Sequence, residues 1–113
     1  MYRLIAIDLD GTLLTPAPQK MITPRTHNIL CKVAEMGMTI VIATGQTLPV
    51  LRQVCTNLPL STPQIIENGA VVANFADGRI LYEQPFPQEF ILPVLDTLRS
   101  FGFYRVYHTH DRV

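Results

Sequence analysis

The sequence predicts an α/β fold: a Rossmann-like, doubly wound parallel sheet followed by the start of a second α/β unit. Three observations carry that expectation. The runs at 3–8 and 38–44, "RLIAID" and "MTIVIAT", are apolar on both faces, as strands buried between helix layers are. Segments of helical period stand between successive apolar runs, and strand–helix–strand order implies right-handed crossovers and parallel pairing. The polar chemistry gathers at the carboxyl ends of these strands, where open α/β sheets bind ligands.

Residues 3–8 read as a central strand. Residues 11–22, "GTLLTPAPQKMI", form a turn-rich loop with Pro16 and Pro18. Thr23 before Pro24 is an N-cap followed by proline at the first helical position. Ile29, Leu30, Val33, Ala34 and Met36 then recur at helical spacing, and Gly37 closes the helix. The second strand follows at 38–44. A helix is expected from Leu48 to about Leu58, with Pro49 in its first turn and Leu51, Val54, Cys55 and Leu58 inward. "QIIEN" at 64–68 is a short third strand. Two β-rich runs around Asp77-Gly78 read as a hairpin over 70–84. An amphipathic helix is expected over 88–102, with Pro93 either kinking it or marking a later start. A further strand is expected at 103–108. The texture changes after residue 69, so the expected division is 1–69, a strand–helix unit, and 70–113, a hairpin followed by the start of a further βα unit.

Composition narrows the function. Hydrophobic residues make up 48% of the 113 and charged ones 16%, which suits a packed core. Nine basic and nine acidic residues cancel, so no field draws in nucleic acid or an anionic membrane. The apolar run after Arg3 stops at Asp8, well short of a signal peptide, and no other run is long enough to span a bilayer. Cys31 and Cys55 lack metal-ligand spacing. A disulfide is open to them, but two reduced, buried thiols of a cytoplasmic protein are the expectation.

The chemistry begins with "DLDG". In extended chain, residues two apart share a side, so Asp8 and Asp10 face together while Leu9 points away. Two bare carboxylates repel, and a hard cation such as Mg²⁺ relieves that repulsion. With the cation in place, Asp8 can attack a phosphorus and Asp10 can protonate the leaving alcohol, then deprotonate a water. Gly11 permits the tight turn that brings amides near the phosphoryl oxygens. A bare Asp-x-Asp-Gly is as readily a strand end entering a turn. "VIATGQ" shifts the balance, because Thr44 and Gly45 place a hydroxyl and an open amide at the end of the neighbouring strand.

"DLDGTLL", with "ATG" after the second strand, resembles the haloacid dehalogenase superfamily, and "ENGA" leading into a hairpin resembles its Cof-type phosphatase branch. The likeness runs from Asp8 to about Ala70. It implies Asp8 as nucleophile, Asp10 as acid/base and Thr44 as phosphate ligand, with Gly45 and Leu9 beside the phosphate. It implies Mg²⁺ held by the Asp8 carboxylate and the Asp10 carbonyl, a mixed α/β cap after the third strand, and a small phosphorylated metabolite such as a sugar phosphate as substrate. Two departures stand out. Gln46 occupies a position where such relatives usually carry arginine. No lysine follows Lys32, and the later lysine and acidic cluster of the family are missing. The chain therefore reads as the amino-terminal part of a longer enzyme, whether a truncated gene or a fragment, with an unpaired sheet edge that invites self-association.

Other residues weigh less. Asn68-Gly69 reads as a turn first and as part of the site mouth second. Thr12 serves the turn or the Asp8 region equally. Glu67 is a ligand or an exposed loop edge. His108 and His110 alternate on one strand face but lack a third ligand, and His27 is expected to face solvent. Two rival functions remain: a catalytically inactive remnant that binds metal or phosphate weakly, and a receiver-type phosphoacceptor. The receiver is disfavoured, since its aspartate belongs at the third strand end, where this chain has "ENG".

Overall fold

The structure, a computed structural model, describes residues 2–102. The strand expected at 103–108, with His108 and His110, lies outside the described residues. Strand β1 (Leu4–Ile7) pairs in parallel with β2 (Thr39–Ile42), in the register Leu4↔Thr39 to Ile7↔Ile42. Helix α1 (Pro24–Glu35) makes the crossover between them. Thr23 caps it, its hydroxyl accepting from the Thr26 amide at 3.2 Å, and Gly37 ends it at φ 84°. Helix α2 (Leu48–Val54) leads to β3 (Pro63–Ile66), β4 (Val71–Asn74) and β5 (Ile80–Glu83), and α3 (Gln88–Ser100) follows.

The seam between β2 and β3 is built largely from side chains. Backbone pairing there is one parallel bridge, Ala43↔Ile65, with the Thr44 amide donating to the Ile65 carbonyl at 3.0 Å. Further back, Pro63 has no amide proton to give. The fully buried Gln64 fills the gap: its Oε1 accepts from the Ile42 amide at 2.7 Å, and its Nε2 donates to the Thr62 carbonyl. The Thr62 hydroxyl donates to the Ile40 carbonyl at 3.2 Å. Two polar side chains thus stand in for ladder bonds that the backbone does not make.

The core lies between this sheet and the helices, with Leu9, Leu30, Ile40, Ile42, Leu51, Cys55, Ile66 and Val71 buried together. Ile42 and Leu51 are wholly buried. The expected hairpin forms, with β4 and β5 antiparallel and the Asp77 side chain accepting from the Arg79 amide at 2.9 Å. β4 also pairs antiparallel with β3 along all of its residues, so the hairpin continues the sheet.

Several expectations need correction. β1 is exposed rather than buried, Leu4 by 54% and Ile5 by 38%, because β2 is its one sheet neighbour among the described residues. Ile29 and Met36 lie on the outer side of α1, exposed by 51% and 79%; only part of that apolar stripe meets the sheet. β3 ends at Ile66, because Glu67 and Asn68 take positive φ of 52° and 56° and turn the chain. α2 ends at Val54, shorter than expected, although Cys55 and Leu58 still point inward. α3 starts at Gln88 with Pro93 inside it, so Pro93 marks no later start, and the carbonyl of Pro93 accepts from the Thr97 hydroxyl at 2.9 Å.

Candidate active site

Asp8 directly follows β1, and the chain then makes one wide turn, Leu9–Leu13, closed by the Leu14 amide on the Leu9 carbonyl at 3.0 Å. Gly11 takes φ 81° within it, a conformation costly for any residue with a β-carbon. Leu9 is fully buried and anchors the turn in the core, while Asp8 and Asp10 are both exposed.

The end of β2 lies alongside. Thr44 is buried, its amide donating to Ile65 and its carbonyl accepting from the Asn68 amide at 3.2 Å. Its hydroxyl oxygen accepts from the Gln46 amide at 3.1 Å, which leaves the hydroxyl proton to give elsewhere. A β-carbon on Gly45 would sit 2.5 Å from Asn68 Oδ1, so a larger residue there would require the Asn68 side chain to turn aside. Asn68 and Gly69, at φ 56° and 92°, make the turn the sequence suggests and also wall the site. Asp8, Thr44, Gly45, Asn68 and Gly69, with Ala43 and Ile65, line one open cavity of about 320 Å³. A larger hollow of about 670 Å³, near Tyr2 and Met38 at the other end of β1, is lined by no acid among the described residues.

Asp10 is engaged separately. Its Oδ2 accepts from Gln46 Nε2 at 2.7 Å and its Oδ1 from Lys20 Nζ at 3.0 Å. The Gln46 amide first, and the Lys20 ammonium second, hold its carboxyl below the usual aspartate value. Sequence reading missed Lys20, which has no motif around it, and saw in Gln46 only a lost charge. It also misjudged His27. That ring spans from α1 to the Asn57 carbonyl at 2.9 Å, with Cys31 Sγ at 3.8 Å from its other nitrogen. Both cysteines are free: Cys31 is half-buried, and Cys55 is buried with its thiol pushed up to about 11. Thr12 is exposed on the turn.

The donors fit Mg²⁺ in kind, being exposed, hard and all oxygen. Among the described residues no three metal-ligating side chains cluster. The Asp10 carboxylate is engaged by Lys20 and Gln46. Also among the described residues, no helix is long and apolar enough to cross a membrane.

Comparison with known proteins identifies the family. The family of haloacid dehalogenase-like hydrolases matches residues 5–113. The chain is 30% identical over 109 residues to pyridoxal phosphate phosphatase YbhA of Escherichia coli (strain K12), covering 96% of this chain and 39% of that protein. It is 36% identical over 97 residues to HMP-PP phosphatase of Yersinia pestis (strain Pestoides F), covering 86% of this chain and 34% of that protein. A solved phosphatase of the haloalkanoate (HAD) superfamily from Bacteroides thetaiotaomicron superposes with a TM-score of 0.78 at 28% identity, over 91% of this chain and 37% of that one. The chain thus spans well under half the length of the relatives it matches. With the paired aspartates, the Thr-Gly strand end and the parallel sheet in place, the chain belongs to the haloacid dehalogenase-like hydrolases.

Proposed function

We propose that the full gene product carrying this chain hydrolyses a small phosphate ester through an aspartyl phosphate on Asp8. One observation carries the reading: Asp8 shares a single open cavity with Thr44, Gly45 and Asn68 at the carboxyl ends of two adjacent parallel strands. A phosphoryl group there meets a carboxylate on one side and a hydroxyl on the other. Thr44 donates its free proton to a phosphoryl oxygen, and Gly45 lets that oxygen come close to the backbone. The Leu9 amide, on the turn directly after Asp8, belongs to the same phosphate set. The Asp8 carboxylate attacks phosphorus, the bond to the leaving oxygen breaks, and that oxygen takes a proton from Asp10. Asp10 then removes a proton from the water that cleaves the acyl phosphate.

Asp8 and the Asp10 carbonyl would hold Mg²⁺, which when bound screens the repulsion between carboxylate and phosphate. The relatives named for phosphatase activity on pyridoxal phosphate and HMP-PP support a small phosphorylated metabolite as substrate. Two free cysteines support a cytoplasmic setting. The test is Asp8→Asn in the full gene product, assayed on a generic phosphate ester with Mg²⁺. Turnover is expected to vanish, because an amide cannot form the acyl phosphate. Retained turnover overturns the covalent mechanism.

A further inference from the structure

We propose that Cys31 is a site of mixed-disulfide formation, with His27 as its base and a low-molecular-weight disulfide as the reagent it takes. The site stands apart from the phosphate cavity, since none of that cavity's lining residues lies on α1.

The pair is a product of helix geometry. His27 and Cys31 are four apart within α1, so their side chains stand one above the other on one face. Cys31 Sγ lies 3.8 Å from His27 Nδ1, within reach of a hydrogen bond to sulfur. The other ring nitrogen, Nε2, meets the Asn57 carbonyl at 2.9 Å. A carbonyl oxygen only accepts, so Nε2 carries the hydrogen of that bond. In the neutral ring Nδ1 is then bare, and the thiol is the group that donates to it. Once Nδ1 has taken that proton, the ring donates from both nitrogens, to the carbonyl and to the thiolate. The Asn57 bond serves both states, and the proton moves without a change of partners. A nucleophile, a base beside it and a third group on the far side of the base form the arrangement that activates thiols.

Access separates the two cysteines. Cys31 and His27 are half-buried, open to a small reagent, whereas Cys55 is buried and its thiol is pushed up by that burial. In the reaction the Cys31 proton passes to Nδ1 and the sulfur attacks one sulfur of the disulfide. The reagent's S–S bond breaks as the new one forms, and the departing thiolate takes the proton from Nδ1 and leaves as a thiol. Cys31 is oxidised and the departing half of the reagent is reduced, so no other oxidant enters.

The experiment treats the full gene product with oxidised glutathione at pH 7, where an ordinary thiol is mostly protonated and gains from a base. With free thiols then blocked by N-ethylmaleimide, uptake at Cys31 is read by mass spectrometry on the tryptic peptide 26–32, "THNILCK". His27→Gln removes the base and keeps a side-chain donor for the Asn57 carbonyl. It is expected to slow uptake by about 10- to 100-fold, at or below the low end for a positioned base. Cys55 is expected to stay unlabelled in both proteins. A merely structural His27 gives the opposite sign, because a loosened α1 exposes Cys31 and speeds uptake. An unchanged or faster rate overturns the proposal. Should His27→Gln unfold and expose Cys55, the parent protein decides. Its Cys31 is expected to outpace N-acetylcysteine under the same conditions although it is half-buried, and a slower rate overturns the proposal.

Discussion

Gln64→Met tests the seam that aligns the site. Methionine matches the length of glutamine but neither accepts nor donates strongly. The substitution leaves the Ile42 amide without its 2.7 Å acceptor and the Thr62 carbonyl without its donor, in a place where residue 64 is wholly buried. An unmade bond to a buried backbone amide costs about 1–3 kcal/mol, and the gain from burying a thioether instead of an amide offsets part of it. The expected net loss is about 1–2 kcal/mol, measured by urea unfolding of the full gene product with the slope unchanged. Because Ile42 lies two residues before Thr44 on the same strand, phosphate affinity should weaken as well. Thr62→Val should cost less, since it removes a longer, 3.2 Å bond at a half-buried site. Stability within about 0.5 kcal/mol of the parent protein, the range of surface substitutions, would show that water or backbone movement replaces Gln64 and refute the reasoning.

Thr44→Val is expected to weaken inorganic phosphate binding by about 1–3 kcal/mol in titration calorimetry with the fold retained, since it removes the hydroxyl of a residue that lines the cavity beside Asp8; unchanged affinity would make Thr44 purely structural. Cys55 ties stability to alkaline pH. Its folded thiol is pushed up to about 11 from 9.0, so its contribution is complete below pH 9 and is lost as pH rises towards 11. Cys55→Ala should flatten that part of the stability profile, and at pH 8 iodoacetamide should label Cys31 well before Cys55. Residues 1–113 expressed alone are expected to self-associate through the exposed β1 edge, where Leu4 and Ile5 lie open, and to lack Asp8-dependent turnover. A monodisperse, active monomer in sedimentation velocity would contradict this.

Local chemistry made much of the protein legible from its residues. An apolar Leu9 between two carboxylates reads as one inward side chain between two outward ones, and Leu9 is buried with both aspartates exposed, although a wide turn rather than an extended strand carries Leu9 and Asp10. The Thr23 cap, the left-handed Gly11 and the Asp77-Gly78 hairpin follow from neighbours within a few residues. Parallel order followed from apolar runs separated by helical ones. The contacts that define the site's electrostatics are of another kind. Lys20 and Gln46 reach Asp10 across 10 and 36 positions, and Gln64 reaches Ile42 across 22. No periodicity marks such residues, because a polar side chain at a loop or strand start reads as solvated until folding brings a partner within 3 Å. The exposure of β1, whose composition suits a central strand, has a related reason. A strand's composition records the neighbours it can accept, whereas its exposure depends on which neighbours are packed against it, and that is settled only in three dimensions.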